Sequence, residues 1–286
     1  MRTVFFIACA FVLAEGKPKQ KRKVGDDIML GDLYHPWENK TEDAVPRNPT
    51  NPQHQIAEYL HDTLRSGDSL DMAVSLFESY SDSNHLGMSL GNEKGQIIES
   101  AIADSIVTRG PEQIVFLEFG SHIGDGTLRI IRQLTKAQGV KRCLVFSLEA
   151  NQEWLGIGTT LVRHVLDLSK ETGCEYIPLA LKKDVSKVLD MIKSEFHVTR
   201  IDGVFLDHNH AQFTSDINIM TEKDLLIEGT LIIADNALRH RQAMRGFIEM
   251  MKENSRTFTL VDVKDPYPDQ LLISEWQRKP SHSEEL

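Results

Sequence analysis

The stretch IVFLEFGSHIGDGT, residues 114–127, joins a continuous apolar run to a glycine-rich turn. Such a run is typical of a strand that is buried on both faces of a parallel sheet. Gly120 and Gly126 would allow a tight turn from that strand into a helix and a close approach of the backbone to a ligand. Because doubly wound α/β folds bind ligands beyond the carboxyl ends of their strands, the turn is either one wall of a ligand site or only a tight connection.

Similar apolar runs recur along the chain and alternate with amphipathic stretches. The predicted buried strands are 114–119, 144–148, 176–179, 203–206 and 230–234, and the predicted helices are 126–136, 152–168, 184–195 and 215–227. Repeated strand–helix units of this length indicate a doubly wound, mostly parallel α/β sheet. Two further strands, 257–263 and 271–276, would add a C-terminal antiparallel hairpin and give seven strands. Helical spacing at 55–66, 69–80 and 94–108 predicts extra helices before the sheet.

The N-terminus has a different composition. The apolar run 4–14 is too short for an ordinary membrane-spanning helix, which needs about 20 residues, but it suits the core of a signal peptide. The basic segment 17–23, KPKQKRK, follows it, and positive charge tends to stay on the cytosolic side, so a short uncleaved anchor is the alternative. We therefore predict a signal peptide or short membrane anchor at 1–16, a polar linker at 17–53 and the folded domain at 54–286.

Location and partners follow from these features. The N-terminal segment predicts the secretory pathway or endoplasmic reticulum, with membrane association through that segment as one form and the cytoplasm as the alternative. Asn39 begins a glycosylation sequon, which would be used only on the secretory route. Cys143 and Cys174 could form one bridge, but there is no CxxC pair. A net charge of −10 argues against a nucleic-acid surface. We expect a monomer.

Acidic residues stand at the ends of the first two predicted strands. Glu118 precedes the glycine-rich turn, and Glu149 is the tip of the second strand. A carboxylate at that tip can accept both hydrogen bonds from a ribose diol, as in dinucleotide-binding folds. Glu149 alone would more often be a helix-start residue, but together with the turn it predicts a ligand that contains a nucleoside.

The stretch VFLDHNH, residues 204–210, places Asp207, His208 and His210 within four positions and suggests a zinc site. Zinc prefers a tetrahedron of histidine and cysteine ligands, and no third such partner stands at a recognisable spacing. The fifth strand ends at Asp235 and Asn236, and adjacent parallel strands would bring these residues beside Asp207. Each acid alone reads as a helix cap, but two carboxylates and an amide oxygen together are ligands that suit Mg²⁺.

With these residues identified, the chain resembles the catechol O-methyltransferase family over about residues 54–277. The segments that carry the resemblance are MSLGNEKGQI (88–97), LEFGSHIGDGT (117–127), SLEANQEW (147–154), VFLDH (204–208) and LIIADN (231–236). Together and in this order they are specific, whereas no single one is. The resemblance implies a Rossmann-like methyltransferase fold. It also implies methyl transfer from S-adenosylmethionine to one hydroxyl of a small catechol-like acceptor held on Mg²⁺.

The resemblance also implies roles by motif position. The implied metal ligands are Asp207, Asp235 and Asn236, and the implied cosubstrate residues are Leu90, Glu118, Gly120, His122, Gly126, Glu149 and His208. On the acceptor side, Asp269 falls where the family binds the second catechol hydroxyl, Asn236 would also contact the acceptor, and Leu86 and Met88 would form an apolar gate.

Departures from the family pattern concern mainly the acceptor side. His210 stands where the family has the lysine that takes the proton, and Asn209 stands where an aromatic residue packs. Asp269 is one methylene shorter than the family glutamate, Leu86 replaces an aromatic residue, and the pair 182–183 places lysines in a loop near the adenine. The identity of the acceptor is therefore the least determined part of the resemblance.

His210 is a candidate base because an unperturbed imidazole, with a pKa of about 6.5, is largely neutral at pH 7. The alternative is a solvent-facing histidine that transfers no proton. Three functions remain open: a catechol-type O-methyltransferase, a related methyltransferase for another acceptor, and a non-catalytic binding protein. The intact set of Asp207, Asp235 and Asn236 argues against the third, since a pure binder does not need it.

Overall fold

The computed structural model describes residues 50–170, 173–181, 184–264 and 267–277. The predicted signal or anchor at 1–16 lies outside these residues, as does most of the predicted linker. The domain boundaries and the cellular location therefore stay predictions.

The described part contains eight α-helices, seven strands, a π-helical segment at Ala103–Val107 and a 3₁₀ turn at His210–Gln212. The helices are α1 Pro52–Thr63, α2 Leu70–Ser83, α3 Gly91–Ile102, α4 Asp125–Leu134, α5 Gln152–Ser169, α6 Val185–Phe196, α7 Phe213–Glu222 and α8 Arg245–Glu253. The strands are β1 Gln113–Phe119, β2 Arg142–Glu149, β3 Glu175–Ala180, β4 Ile201–Leu206, β5 Leu226–Ala234, β6 Ser255–Val263 and β7 Asp269–Trp276.

The strands form one sheet in the order β3-β2-β1-β4-β5-β7-β6. Strands β1 to β5 pair in parallel, and β7 lies antiparallel between β5 and β6. The predicted α/β fold with a C-terminal antiparallel hairpin is confirmed. Because the chain moves outward from β1 to β3 and then returns to β4 on the other side of β1, the strand order reverses beside β1. Ligands bind at such a reversal.

Strand β1 shows why its sequence is apolar at nearly every position. Ile114 and Phe116 pack into the core that includes residues of helices α1 to α5, whereas Val115, Leu117 and Phe119 pack into the core that includes residues of α6, α7 and α8. All five are fully buried. Since successive side chains of a strand point to opposite faces, a continuous apolar run is required where helices cover both.

Two helices differ from the sequence-based expectation. Helix α8 was not predicted because it has only nine residues, so its apolar side of Phe247, Ile248 and Met251 repeats over little more than two turns. Helix α7 ends at Glu222 and not at 227, because the chain from Leu226 onward already pairs with β4 as part of β5.

A disulfide joins Cys143 in β2 to Cys174, the residue before β3. The sequence left this bridge open. Strands β2 and β3 pair in parallel with Leu144 opposite Glu175, so the two preceding residues come to the same level, with Cα atoms 4.5 Å apart. Within the described ranges, no helix combines the length and the apolar character that a membrane span needs.

Candidate active site

A cavity of about 570 Å³ lies beyond the carboxyl ends of β1, β2, β4 and β5. Its wall includes most of the residues singled out from the sequence: Leu86, Met88, Leu90, Gly120, His122, Glu149, Asp207, His208, His210, Asp235 and Asn236. Glu118, Gly126 and Asp269 are not part of this wall but lie behind residues that are. The cavity therefore brings the predicted cosubstrate residues and the predicted metal ligands to one place.

Two positions in the turn after β1 require glycine, because neighbouring atoms leave no room for a Cβ atom. A Cβ atom on Gly120 would lie 2.4 Å from the backbone oxygen of Asp207, so the turn passes directly against the end of β4. A Cβ atom on Gly126 would lie 2.4 Å from the carboxylate of Glu118. The Glu118 carboxylate accepts hydrogen bonds from Thr127 and Ser147, and its burial raises its pKa to about 7. Through these contacts the Glu118 side chain packs directly under the turn and stabilises it.

Glu149 is held from both sides by backbone. Its Oε2 accepts the N–H of His122 at 2.9 Å, and its Oε1 accepts the N–H of Asn151 at 2.7 Å. Asn151 in turn caps α5 by accepting the N–H groups of the first turn. Each carboxylate oxygen has a further lone pair, so the Glu149 side chain is oriented and can still accept hydrogen bonds from a ligand diol.

His122 occupies a strained position in the same turn. Its φ of 47° lies in the left-handed region, where a non-glycine residue is uncommon and often marks a functional site. The ring packs edge-on against Trp154, with centroids 4.7 Å apart, and its Nε2 is buried without a partner among the described residues. Burial lowers the pKa of His122 to about 4, so the ring is neutral at pH 7.

His208 pairs with an acidic residue of α7. Its Nε2 lies 2.7 Å from Oδ2 of Asp216 in α7, and its ring packs between Phe119 and Phe213. Asp216 was not predicted, because its contact with His208 depends on the turn between β4 and α7. The orientation of His208 agrees with a place beside the cosubstrate and not with a zinc ligand.

The ends of β4 and β5 place the predicted metal ligands side by side. Leu206 pairs with Ala234, and the N–H of Asp235 donates to the Leu206 carbonyl at 3.0 Å. The side-chain nitrogen of Asn236 donates to Asp207 Oδ1 at 3.3 Å. Asn236 itself has a φ of 62°, a second left-handed non-glycine residue at the cavity.

Lys94 is a buried member of this cluster that the sequence analysis missed. Its Nζ donates to both oxygens of Asp235, at 2.7 and 3.0 Å, and to Oδ2 of Asp269 at 2.9 Å. Burial disfavours the ammonium, but the two carboxylates outweigh that effect and raise the pKa of Lys94 above its ordinary value. A signal was present, because Lys94 shares the buried face of α3 with Gly91, Gly95 and Ile98.

Asp269 begins β7 and is almost fully buried. Besides Lys94, the backbone N–H groups of Arg239 and Gln270 donate to its Oδ1. Burial favours the protonated acid, but the hydrogen bonds from Lys94 and from the backbone prevail and lower the pKa of Asp269. Asp269 is therefore a charged side chain, and Lys94 ties it to Asp235.

The donor set fits Mg²⁺. Burial, and secondly the neighbouring Asp235, raise the pKa of Asp207 well above its usual range, and the charge of Lys94 offsets this effect only in part. Its side chain has one hydrogen bond among the described residues, from Asn236. Lys94 occupies only part of the lone pairs of Asp235. Groups of three or more His, Cys, Asp or Glu arranged as a metal site are not found within the described residues, so the fit rests on two carboxylates and one amide oxygen.

His210 stacks on His240, a residue that the sequence analysis did not single out. The ring centroids are 4.0 Å apart and the planes differ by 18°. The His210 Nε2 is buried and has no partner among the described residues. Burial, with smaller contributions from His240 and His208, lowers the pKa of His210 to about 4. The pKa of His210 therefore lies below that of an unperturbed imidazole, and the ring is neutral at pH 7.

Two exposed side chains stand at the mouth of the cavity. Met88 is 64% exposed, with a φ of 69°, and Tyr267 is 65% exposed. Leu86, Asn209, Arg239 and His240 complete this acceptor side. The lysines of 182–183 lie outside the described residues.

Comparisons with known proteins agree with the fold and the motifs. No family model matches the chain. Bovine catechol O-methyltransferase is 28% identical over 183 residues, which cover 64% of this chain and 60% of the bovine protein. The mouse protein of the same name is 23% identical over 186 residues, or 65% of this chain and 63% of its own length. The chain thus spans less than two thirds of these curated relatives.

Among solved structures, an O-methyltransferase from Bacillus cereus in complex with SAH superposes with a TM-score of 0.55 at 18% identity. The match covers 78% of this chain and 97% of the bacterial one, which shows a shared fold. The resemblance inferred from the motifs is confirmed: the chain is similar in sequence to the catechol O-methyltransferases and has the Rossmann-like fold of an O-methyltransferase.

Proposed function

We propose that this protein transfers a methyl group from S-adenosylmethionine to one hydroxyl of a catechol-type acceptor held on Mg²⁺. The observation that carries the proposal is the single cavity that joins Glu149, an oriented carboxylate suited to a ribose diol, to the oxygen cluster of Asp207, Asp235 and Asn236. Neither half alone would specify the reaction, whereas a common cavity would bring the cosubstrate and the acceptor together.

The cosubstrate half binds and orients. S-adenosylmethionine, when bound, supplies a methyl group on a sulfonium, which is the electrophile of the reaction. Glu149 would accept the ribose hydroxyls, and His208, fixed by Asp216, would lie near the adenine. Neutral His122 and Trp154 would line the methionine part without adding positive charge beside the sulfonium. Holding two reactants in this way is worth about 7–11 kcal/mol of the barrier.

The acceptor half would orient the catechol and stabilise the negative charge on its reacting oxygen. Asp207, Asp235 and Asn236 would hold Mg²⁺, which, when bound, supplies the positive charge that stabilises a phenolate oxygen. Asp269 would accept a hydrogen bond from the second hydroxyl. Lys94, between Asp235 and Asp269, holds both carboxylates in position and favours their ionised form, although burial still raises the pKa of Asp235.

His210 would take the proton that the reacting hydroxyl loses. A base must be unprotonated and have a free lone pair, and a lowered pKa meets the first condition at every pH near neutrality. The unpartnered Nε2 is the atom available for the proton. The stack on His240 fixes the plane of the ring.

The test is methyl transfer itself. Purified protein is incubated with labelled S-adenosylmethionine, Mg²⁺ and a panel of catechols, with and without excess EDTA. We expect labelled methyl ether that disappears with EDTA and returns with added Mg²⁺. Full activity in EDTA would rule out the metal, and binding of the cosubstrate without transfer to any acceptor would favour a non-catalytic binding protein.

A related O-methyltransferase for another acceptor is the second candidate. The observation that favours it is the polar acceptor side, where Asn209 and His240 line the cavity and Leu86 is the residue at the predicted aromatic position. A flat apolar slot would suit any plain catechol, whereas polar groups at the mouth would select acceptors that bear further polar substituents.

We also propose that the N-terminal segment is a cleaved signal that takes the folded domain into the secretory route. The disulfide between Cys143 and Cys174 supports this, because such bonds persist in oxidising compartments. Expression in eukaryotic cells, followed by glycosidase treatment and N-terminal sequencing, tests the proposal. A cytosolic, membrane-free and unmodified product with both thiols reduced would contradict it.

A further inference from the structure

We propose that the preferred acceptor carries an anionic side chain, such as a carboxylate, on its catechol ring, and that Arg239 binds this group. The inference rests on the proposed function and names the substrate class of the same cavity. Arg239 follows Asn236 by three residues, in the segment between β5 and α8, and lines the mouth of the cavity.

The backbone of Arg239 is tied to the acceptor side. Its N–H donates to Oδ1 of Asp269 at 3.2 Å, and the other oxygen of Asp269 accepts from Lys94. The Cα atom of Arg239 therefore has a fixed position relative to the carboxylate that would meet the second hydroxyl. The guanidinium lies over the ring of Tyr267, 5.8 Å from its centroid, which holds the side chain at the rim.

The guanidinium keeps its donors available. A contact with an aromatic face uses the flat side of the group, while its N–H donors lie in the plane. Other arginines, such as Arg129, Arg132 and Arg256, are each paired with a carboxylate, whereas within the described ranges Arg239 has no such partner. A guanidinium that is held in place and has no carboxylate partner can donate two parallel N–H bonds to the carboxylate of a ligand.

On the acceptor side of the cavity, the negative charges are buried and the positive charge of Arg239 is at the surface. The carboxylates of Asp235 and Asp269 are buried beside Lys94, whereas Arg239 is exposed at the rim near Tyr267. The other described residues at the rim, Leu86, Met88, Asn209 and His240, carry no carboxylate. A molecule with hydroxyls at one end and an anion at the other would satisfy both ends. Because the protein has a net charge of −10, its overall field does not attract anions, and a local cation is needed.

The experiment compares three catechols that differ only in the end of a two-carbon side chain: 3-(3,4-dihydroxyphenyl)propionate, its amide, and 3,4-dihydroxyphenethylamine. The two carbons insulate the hydroxyls from the charge, so ring chemistry is nearly the same in all three. We expect kcat/KM to be about tenfold higher for the acid than for the amide, the size of one charge-assisted contact at a partly exposed site, with the amine lowest. This ratio should fall as salt is added.

Arg239→Gln should remove the preference for the acid and change kcat/KM for the amide by less than about threefold, since the backbone N–H to Asp269 is kept. Arg241→Gln, at an exposed position outside the cavity wall, is the matched control and should keep the wild-type ratio. Equal values for acid and amide in the wild type, or an equal loss for all three compounds in Arg239→Gln, would overturn the inference.

A failure of the proposed function gives a different result. In that case none of the three catechols is methylated, and calorimetry with the same compounds on protein saturated with S-adenosylmethionine and Mg²⁺ replaces turnover. Tighter binding of the acid that is lost in Arg239→Gln supports the inference, and equal or undetectable binding of all three overturns it.

Discussion

The cosubstrate half and the acceptor half of the cavity are built in different ways. In the cosubstrate half, the Glu149 side chain is positioned by the backbone N–H groups of His122 and Asn151, just beyond the ends of β1 and β2. In the acceptor half, Asp235 and Asp269 are positioned by the side chain of Lys94, which comes from α3, 141 and 175 residues away. A site positioned by backbone hydrogen bonds can be predicted from the local sequence. A network of side chains from distant elements can be recognised only in the folded protein.

This difference predicts how a substitution in each half affects the cavity. Removing a side chain from the cosubstrate half should weaken one ligand and leave the rest of the cavity intact. Removing one from the acceptor half should disturb a set of coupled charges. Four substitutions, from the largest expected effect to the smallest, test this comparison.

Asp207→Asn should lower kcat by at least about 10³-fold. The loss of one negative ligand removes Mg²⁺ and with it several kcal/mol of charge stabilisation. Steady-state kinetics and calorimetric affinity for S-adenosylmethionine are measured on the same protein, and the affinity should be unchanged. Asp190→Asn, at an exposed carboxylate of α6, is the control. A variant with wild-type kcat would remove Asp207 from the metal site.

His210→Ala should lower kcat by about 10²–10⁴-fold, the usual range for a general base. Because the pKa of His210 is already lowered to about 4, its base form predominates above that pH. The limb of kcat/KM that it controls should therefore rise near pH 4, not near 6.5. His210→Lys should move the limb to higher pH, since an ammonium must first lose its proton.

The matched control for His210 is His164→Ala. His164 also stacks on a histidine, His61, with ring centroids 4.5 Å apart, and also has a buried Nε2 without a partner, but it lies on α5 outside the cavity wall. It should keep the wild-type kcat. Equal pH profiles and rates for wild type and His210→Ala would make His210 a bystander.

Lys94→Met should destabilise the protein by about 3–5 kcal/mol at neutral pH, because it leaves Asp235 and Asp269 buried without their counter-charge. The control is Lys141→Met, which removes the same group from an exposed pair with Glu112 and should cost less than about 1 kcal/mol. Urea unfolding of both variants gives the difference. Equal, small losses would show that the acceptor half is not a coupled charge network.

Glu149→Gln should weaken S-adenosylmethionine binding by about 10–100-fold, the effect of losing a charged acceptor. Calorimetry measures the change, and kcat at saturating cosubstrate should stay near the wild-type value. Glu153→Gln, on the exposed side of the same helix start, is the control. Unchanged affinity in Glu149→Gln would place the ribose elsewhere.

Much of the cosubstrate half could be predicted because its signals are local. An apolar run with two glycines and an acid at the next strand tip indicates a strand, a turn and a ligand position within about forty residues, and no distant residue is needed. Asp207 and Asp235 were also within reach, because the parallel pairing of neighbouring strands follows from the alternation of strands and helices. The perturbed pKa of His210 was not, since it depends on burial and on His240.

The sequence by itself determined the α/β fold, the glycine-rich turn after β1 and the acidic residues at the ends of β4 and β5. These features could be predicted because strand periodicity and turn composition depend on residues that are neighbours in the chain. Only the tertiary structure decided that Lys94 lies between Asp235 and Asp269, that His210 stacks on His240 and that Arg239 stands over Tyr267. Those contacts join α3, the segments after β4 and after β5, and the chain at and just before the start of β7. Their energies depend on burial and on distances between charges, which no spacing along the chain specifies.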